Sequence, residues 1–450
     1  MPPTDGMLRR PLASAASVIA MVTAIACAPG GAGHVGPVPQ RAHGQAALRT
    51  TIDSLIGNPA FRTAEWAILA VNPRNGDTLY AHNPALLMVP ASNMKIITSA
   101  VALTQLGPDF RFSTTFSAHG PLSNGVLNGD LVVTGRGDPT ISDHMRGSAR
   151  AAMDTLADSI IAHGVRSITG RIYSGADNFP GPHVGEGWDW DDLETSDGAG
   201  VDELLFNEGM ARNVVRGLNG DSVVKSAPAT DPTQDFLKEL DLALQRRGVR
   251  ARFGVGDGLV PLRGIALDTL FVVRSAPLRD ILPYFLKPSQ NQMGEVFMRT
   301  IGLERTGTGT ADSGIAVASR QLTTWGIPRD GYELHDGSGM ARADLISPET
   351  IVRILDRMRA SPDFAVFYNA LPIAGVDGTI SRRMRGTPAA NNVRAKTGSL
   401  RWVRSLSGYV TDADGESITF SILANKWTTP STTVTMTADS IAAALAAYHR

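Results

Sequence analysis

Apolar residues recur at helical spacing over Leu48 to Ile56, where Leu48, Ile52 and Leu55 share one face. Ala64 to Asn72 is a nearly unbroken apolar run, followed by Arg74-Asn75-Gly76-Asp77 and a second run over Thr78 to Ala81. Asn-Gly between two such runs predicts a hairpin. Val89-Pro90-Ala91 then leads into a helix expected over Ser92 to Leu106, with Pro90 before it and Gly107-Pro108 after it marking both ends. From Asp109 to Val273 the texture changes. Short strand-like runs (Gly129 to Thr134, Ser167 to Tyr173, Thr269 to Arg274) alternate with Gly, Asp and Pro turns, and helical stretches lie near Ala151 to Gly164 and Gln234 to Arg247. Helical periodicity resumes at Ala276 to Leu286, Asn291 to Ile301, Gly314 to Gly326 and Ser347 to Ala360. Two long strands, Val403 to Val410 and Ser417 to Asn425, precede an Ala-rich helix from Met436.

Hairpin first, helices in the middle, strands late and a final helix predict an α+β domain whose sheet joins both chain ends. Residues 48–108 and 274–450 form that domain, and 109–273 is an insertion, mainly β and divided into two subdomains. A chain of 450 residues has room for two or three such units.

The N-terminus belongs to neither. Arg9 and Arg10 precede an apolar run from Pro11 to Ala26, which is shorter than the roughly 20 residues a membrane span needs and reads as an export signal over 1–26. The run ends in Ala24-Ile25-Ala26-Cys27, which holds the single cysteine. Ala24 and Ala26 satisfy an A-x-A cleavage site, while the tetrapeptide as a whole resembles a lipobox in which Cys27 becomes lipid-modified and anchors the chain to a membrane. Residues 27–47, rich in Gly, Pro, Ala and His, read as a flexible linker. One cysteine allows no disulfide within the chain.

Composition narrows the classes further. Hydrophobic residues at 43% and charged residues at 19% are those of a folded globular protein. A formal net charge of -1 without a basic block excludes nucleic acid as the main partner. The lysines are only Lys95, Lys225, Lys238, Lys287, Lys396 and Lys426, so a motif that needs lysine seldom arises here by accident.

Three short motifs carry candidate chemistry. In Ser92-Asn93-Met94-Lys95, S-x-x-K spacing at a helix start puts hydroxyl and amine one turn apart on one face. A serine hydroxyl needs a neighbour to take its proton, and a lysine can do so once desolvation or nearby positive charge lowers its pKa. The bland alternative is a serine helix cap and an exposed lysine, but Ile96, Ile97 and Ala100 continue an apolar face past Lys95. Ser289-Gln290-Asn291 heads another helix, where Ser or Asn would equally serve as a cap. Lys396-Thr397-Gly398-Ser399 enters the late strands; Gly398 would let a substrate backbone approach closely, and Lys396 with Thr397 would bind a carboxylate.

S-x-x-K, S-x-N and K-T-G in this order are the signature of penicillin-binding proteins and serine β-lactamases. The flanks sharpen the resemblance: Pro90-Ala91 before Ser92, Gly135-Arg136-Gly137-Asp138-Pro139, Gly187-Trp188-Asp189-Trp190-Asp191-Asp192, Glu295, Asp336-Gly337-Ser338-Gly339-Met340, Leu371 to Thr379, and Thr387-Pro388-Ala389-Ala390. The chain resembles the D-alanyl-D-alanine carboxypeptidase/endopeptidase family of class C low-molecular-mass penicillin-binding proteins, the peptidase S13 type. Compact β-lactamases lack an insertion of this length.

The resemblance implies a transpeptidase-like domain, an antiparallel sheet flanked by helices. It also implies a serine-type hydrolase, exported to the periplasm or cell envelope, that cleaves peptidoglycan stem peptides and is acylated by β-lactam antibiotics. Ser92 would attack the carbonyl between two D-alanines with Lys95 as base. Ser289 and Lys396 would relay a proton to the leaving amine, and Asn291 would hold the substrate amide and Lys95. Thr397, Gly398 and Ser399 would bind the substrate, the Ser92 and Ser399 backbone N–H groups forming the oxyanion hole. Arg342 and Asp177 are further substrate contacts, a surface arginine after a turn being an equal reading of the former. No metal or other cofactor is implied: H-E-x-x-H is absent and the histidines are scattered. A β-lactamase and a non-catalytic wall-binding protein remain the rival readings.

Overall fold

The computed structural model describes residues 44–450 except 217–221 and 262–265, so the export signal, Cys27 and most of the linker lie outside the described residues. The first helix, α1 (Gln45–Ile56), starts three residues earlier than the apolar spacing predicts and buries Leu48 and Ile52. The hairpin follows as β1 (Glu65–Val71) and β2 (Thr78–His82), and α2 (Met94–Leu106) is entered through a 3-10 turn over Ala91–Asn93.

β1 and β2 join three late strands, β8 (Arg394–Leu400), β9 (Val403–Thr411) and β10 (Ser417–Asn425), in an antiparallel sheet of order β8-β9-β10-β1-β2. Both chain ends therefore meet in one sheet, as the order of elements predicts. β1 is apolar from Trp66 to Val71 because both of its faces are covered. Trp66, Ile68 and Ala70 point into one core with α1 and the C-terminal helix α9 (Ser431–Ala446). Ala67 points into the other, with α2, α5 (Leu278–Leu286), α6 (Asn291–Thr306), α7 (Ala311–Thr324) and α8 (Pro348–Arg359). The result is helices, sheet, helices, with α2 and α6 side by side under the sheet; α9 begins five residues ahead of the predicted Met436.

The stretch 109–273 has a separate core. A five-stranded sheet of order β6-β5-β4-β3-β7 is built from β3 (Ser113–His119), β4 (Asp130–Gly135), β5 (Ile172–Ser174), β6 (Val255–Leu259) and β7 (Asp268–Arg274). β4, β5 and β6 run parallel, with α3 (Ala149–Ala162) crossing between β4 and β5 and α4 (Pro232–Arg246) between β5 and β6. Phe116, Leu131, Met153, Ile160, Phe236 and Leu240 fill the space between sheet and helices. The predicted single strand over Ser167 to Tyr173 is instead two short strands, Ser167–Ile168 and Ile172–Ser174, belonging to different sheets. No described helix is long and apolar enough to cross a membrane.

Candidate active site

The turn that carries Ser92 is fastened from three sides. Asn425 at the end of β10 accepts from Val89 N at 2.9 Å and donates to Val89 O at 3.2 Å. Ser405 on β9 donates to Pro90 O at 2.7 Å, and Asn93 donates to the Lys396 carbonyl of β8 at 3.0 Å. Ala91 is held at φ 47°, a strained value for a residue with a Cβ. Ser92 then sits in the 3-10 turn and makes no helix cap: α2 starts behind Asn93 with no side-chain cap bond. Gly398 has a reason beyond the substrate approach expected from sequence. A Cβ there would stand 2.1 Å from Ser405 Oγ and 2.5 Å from Pro90 O, so glycine lets the Ser92 turn press against the strand.

One turn along α2, Lys95 is fully buried. Its Nζ donates to Ser92 Oγ at 3.0 Å, to Asn291 Oδ1 at 2.7 Å and to the Ser338 carbonyl at 2.6 Å. Three acceptors match the three protons of an ammonium. On deprotonation the two amide-type oxygens keep the two remaining N–H groups, and the lone pair turns to the Ser92 hydroxyl, since neither oxygen can donate. Burial lowers the Lys95 pKa to about 8; the charges of Asp336, Glu295, Asp197 and Asp344 oppose that shift.

The second and third motifs meet across the cleft. Ser289 has φ 70°, and its Oγ accepts from Lys396 Nζ at 2.8 Å. Lys396 is also fully buried, and burial followed by the nearby Lys95 charge pushes it well below the usual lysine range. Gln290 points into its own helix: its Oε1 caps α6 by accepting from Met293 N at 2.7 Å, which leaves Ser289 and Asn291 to face the cleft. Thr397 Oγ1 lies 2.8 Å from Thr379 Oγ1, and Ser399 is exposed at the strand's edge of the cleft. Hydrogen bonds thus join Ser92, Lys95 and Asn291 in one group and Ser289 with Lys396 in another, with Thr397, Gly398 and Ser399 continuing the strand of Lys396.

Arg342 and Asp177 are placed differently. Arg342 donates to Asp189 Oδ2 at 2.8 Å and to the Arg401 carbonyl at 3.1 Å, linking the insertion to the β8–β9 turn. Asp177 is exposed, and the charge it acts on is that of Arg299, a buried guanidinium bound to the carbonyls of Phe179 and Pro182.

Several residues that complete the cluster carry no sequence signal for their roles. Asp336-Gly337-Ser338-Gly339-Met340 is a buried turn whose Ser338 carbonyl holds Lys95. Segment 196–199 of the insertion crosses the second motif: Asn291 Nδ2 donates to Asp197 O at 3.1 Å, and buried Gln292 donates to the carbonyls of Ser196, Asp197 and Ala199. Among the described residues one group has the ligand atoms a metal ion could use, within 4.8 Å of one another: His183, Asp202 and Asp231, none of them in the Ser92 cluster.

A family model described as the D-Ala-D-Ala carboxypeptidase 3 (S13) family matches residues 48–230 and 215–447. A D-alanyl-D-alanine carboxypeptidase of an Actinomadura species is 31% identical, the match covering 89% of this chain and 85% of that protein. The D-alanyl-D-alanine carboxypeptidase DacB of Haemophilus influenzae is 27% identical over 80% of this chain and 85% of its own. In three dimensions penicillin binding protein 4 of Haemophilus influenzae covers 87% of this chain and 98% of its own, with TM-score 0.76 at 23% identity. A predatory endopeptidase of Bdellovibrio bacteriovorus covers 84% and 92%, with TM-score 0.53 at 17% identity, so the likeness to both structures is one of fold. The fold is that of the penicillin-binding proteins, and the chain belongs to the D-Ala-D-Ala carboxypeptidase 3 (S13) family.

Proposed function

We propose that the chain is a serine-type hydrolase that cleaves D-alanyl-D-alanine bonds in peptidoglycan stem peptides, as carboxypeptidase, endopeptidase or both, through an acyl-enzyme on Ser92. The observation that carries the reading is Lys95 Nζ, buried, 3.0 Å from Ser92 Oγ, with its other two bonds given to carbonyl oxygens. As a neutral amine it takes the Ser92 proton while Oγ bonds to the scissile carbonyl carbon. The oxyanion forms between the Ser92 and Ser399 backbone N–H groups. Collapse of the tetrahedral adduct breaks the C–N bond, and the leaving amine receives a proton through Ser289, supported by the Lys396–Ser289 bond at 2.8 Å. Water then cleaves the ester by the same route in reverse. Lys396, Thr397 and Ser399 offer the donors for the terminal carboxylate.

The curated relatives named D-alanyl-D-alanine carboxypeptidases support the substrate class. A relative's structure with a bound β-lactam supports acylation by the same drugs. An envelope location fits both the substrate and the signal-like run from Arg9 to Ala26, with Cys27 as the lipid-modified residue of an anchored form. A fluorescent penicillin tests the central step: covalent label on the wild type and none on Ser92→Ala are expected, and undiminished label on Ser92→Ala overturns it.

A further inference from the structure

The turn beneath Lys95 is held by carboxylates at every one of its backbone donors. Glu295 on α6 accepts from Gly337 N at 3.1 Å and Ser338 N at 2.9 Å. Asp336 accepts from Gly339 N at 2.5 Å, Met340 N at 2.9 Å and Ala341 N at 2.8 Å, and also from Ser338 Oγ at 3.0 Å. In a trans peptide the C=O and N–H point in opposite directions. Fixing Gly339 N–H on Asp336 therefore fixes the Ser338 carbonyl on the other side, where Lys95 Nζ lies 2.6 Å away. The preceding peptide repeats the pattern: Ser338 N–H is on Glu295 and the Gly337 carbonyl accepts from Thr98 Oγ1 at 2.7 Å. Asp336 is in turn braced from the insertion, since Trp188 Nε1 donates to its Oδ2 at 2.9 Å.

We propose that Asp336 is a positioning residue for the base: it aims the Ser338 carbonyl at Lys95, and Trp188 of the insertion fixes the carboxylate that does so. The inference rests on the reading of Lys95 as base. Four carboxylates face Lys95: Glu295 from α6, Asp336 and Asp344 from the segment before α8, and Asp197 from the insertion, with Lys396 of β8 the nearby cation. Burial and the charge of Asp336 push both Asp344 and Glu295 upward, toward the neutral acid. Asp336 is the largest of the charges that favour protonated Lys95. Its loss has two effects, then, on geometry and on charge.

Asp336→Asn puts an amide N–H against a backbone N–H donor without changing size. The full chain and its variants are titrated with a fluorescent penicillin, and the second-order acylation rate is followed against pH. Asp336→Asn is expected to lower the plateau rate by about 10²-fold, the cost of a displaced reacting group, and to move the acidic limb to lower pH. Trp188→Phe removes the brace and no charge, so a smaller fall with the limb in place is expected. An Asp336→Asn profile identical to wild type overturns the proposal, as does a lower labelled fraction with unchanged rate and limb, which is the mark of a fold defect alone. Should Asp336→Asn not fold, the test passes to Trp188→Phe, where an unchanged rate in folded protein overturns it. A wild type that takes no label on Ser92 instead overturns the base reading itself, a separate result.

Discussion

Lys396 Nζ stands 2.8 Å from Ser289 Oγ, so the cleft holds a second pair of buried lysine and half-buried serine opposite the pair formed by Lys95 and Ser92. Each pair brings an amine and a hydroxyl to one side of the position a substrate peptide would occupy. The two lysines differ in their surroundings. Lys95 has four carboxylates within electrostatic reach, whereas the charge that acts on Lys396 is that of Lys95. The carboxylates thus favour the charged form of Lys95, whereas burial and the Lys95 charge both disfavour that of Lys396.

That asymmetry predicts what Lys396→Ala does. Acylation by penicillin falls by about 10²-fold or more, as for loss of a proton-transfer group. The acidic limb, set by Lys95, stays where it was. A stopped-flow acylation series against pH reads both effects, and a limb that moves with Lys396 contradicts the assignment of Lys95 as base.

The pH dependence of the wild type follows from the Lys95 environment. In the proposed reaction the base is the neutral amine, and burial lowers its pKa to about 8. Acylation accordingly rises with pH, flattens above about 8, and falls about tenfold per unit below that value. A rate flat from about pH 6 to about pH 9 rules out a lysine of this kind as the base.

Gly398→Ala tests the contact between strand and nucleophile turn. The added methyl would stand 2.1 Å from Ser405 Oγ and 2.5 Å from Pro90 O, so the Ser92 turn must move. We expect an acylation loss of about 10²-fold from misplacement of the hydroxyl, with the far-ultraviolet circular dichroism of the wild type. Normal acylation would show that the turn tolerates the shift.

Gln292→Ala removes the buried amide that holds segment 196–199. Two of its three bonds reach the Ser196 and Ala199 carbonyls, which would then lose this donor, at a cost of about 1–3 kcal/mol. Thermal unfolding measures the loss. Because Asp197 O also accepts from Asn291, slower capture of penicillin is expected alongside it.

Much of this was legible in the chain because it is written in short range. Ser92 and Lys95 share a helical face, Asn75-Gly76 marks the hairpin, β1 is apolar from Trp66 to Val71, and β10 begins with apolar residues at alternate positions, Ile418, Phe420 and Ile422. β3 escaped notice because Ser-Thr-Thr-Phe-Ser-Ala-His offers only Phe116 and Ala118 as buried apolar positions, too few for a period. The parts that Ser338 and Asp336 play in supporting Lys95 escaped for another reason. Ser338 acts through its carbonyl and Asp336 through five neighbouring donors, so their side-chain types announce nothing. The bonds from Gln292 to segment 196–199 span more than ninety residues, a pairing no local pattern encodes.

The pairing of β1 with β10 sets the order in which this molecule can be completed. Trp66 lies opposite Ala424, and Val89 is clamped by Asn425, 336 residues further on, so the strand ahead of Ser92 finds its neighbour only after that long stretch has been synthesised. Until then the apolar faces of β1 and α2 have no permanent cover, while much of 109–273 packs around its own core. Such long-range closure is slow and leaves sticky surfaces open. Ser92 is thus made long before the residue that fixes its turn, and a chain cut short before β10 carries Ser92 without that clamp.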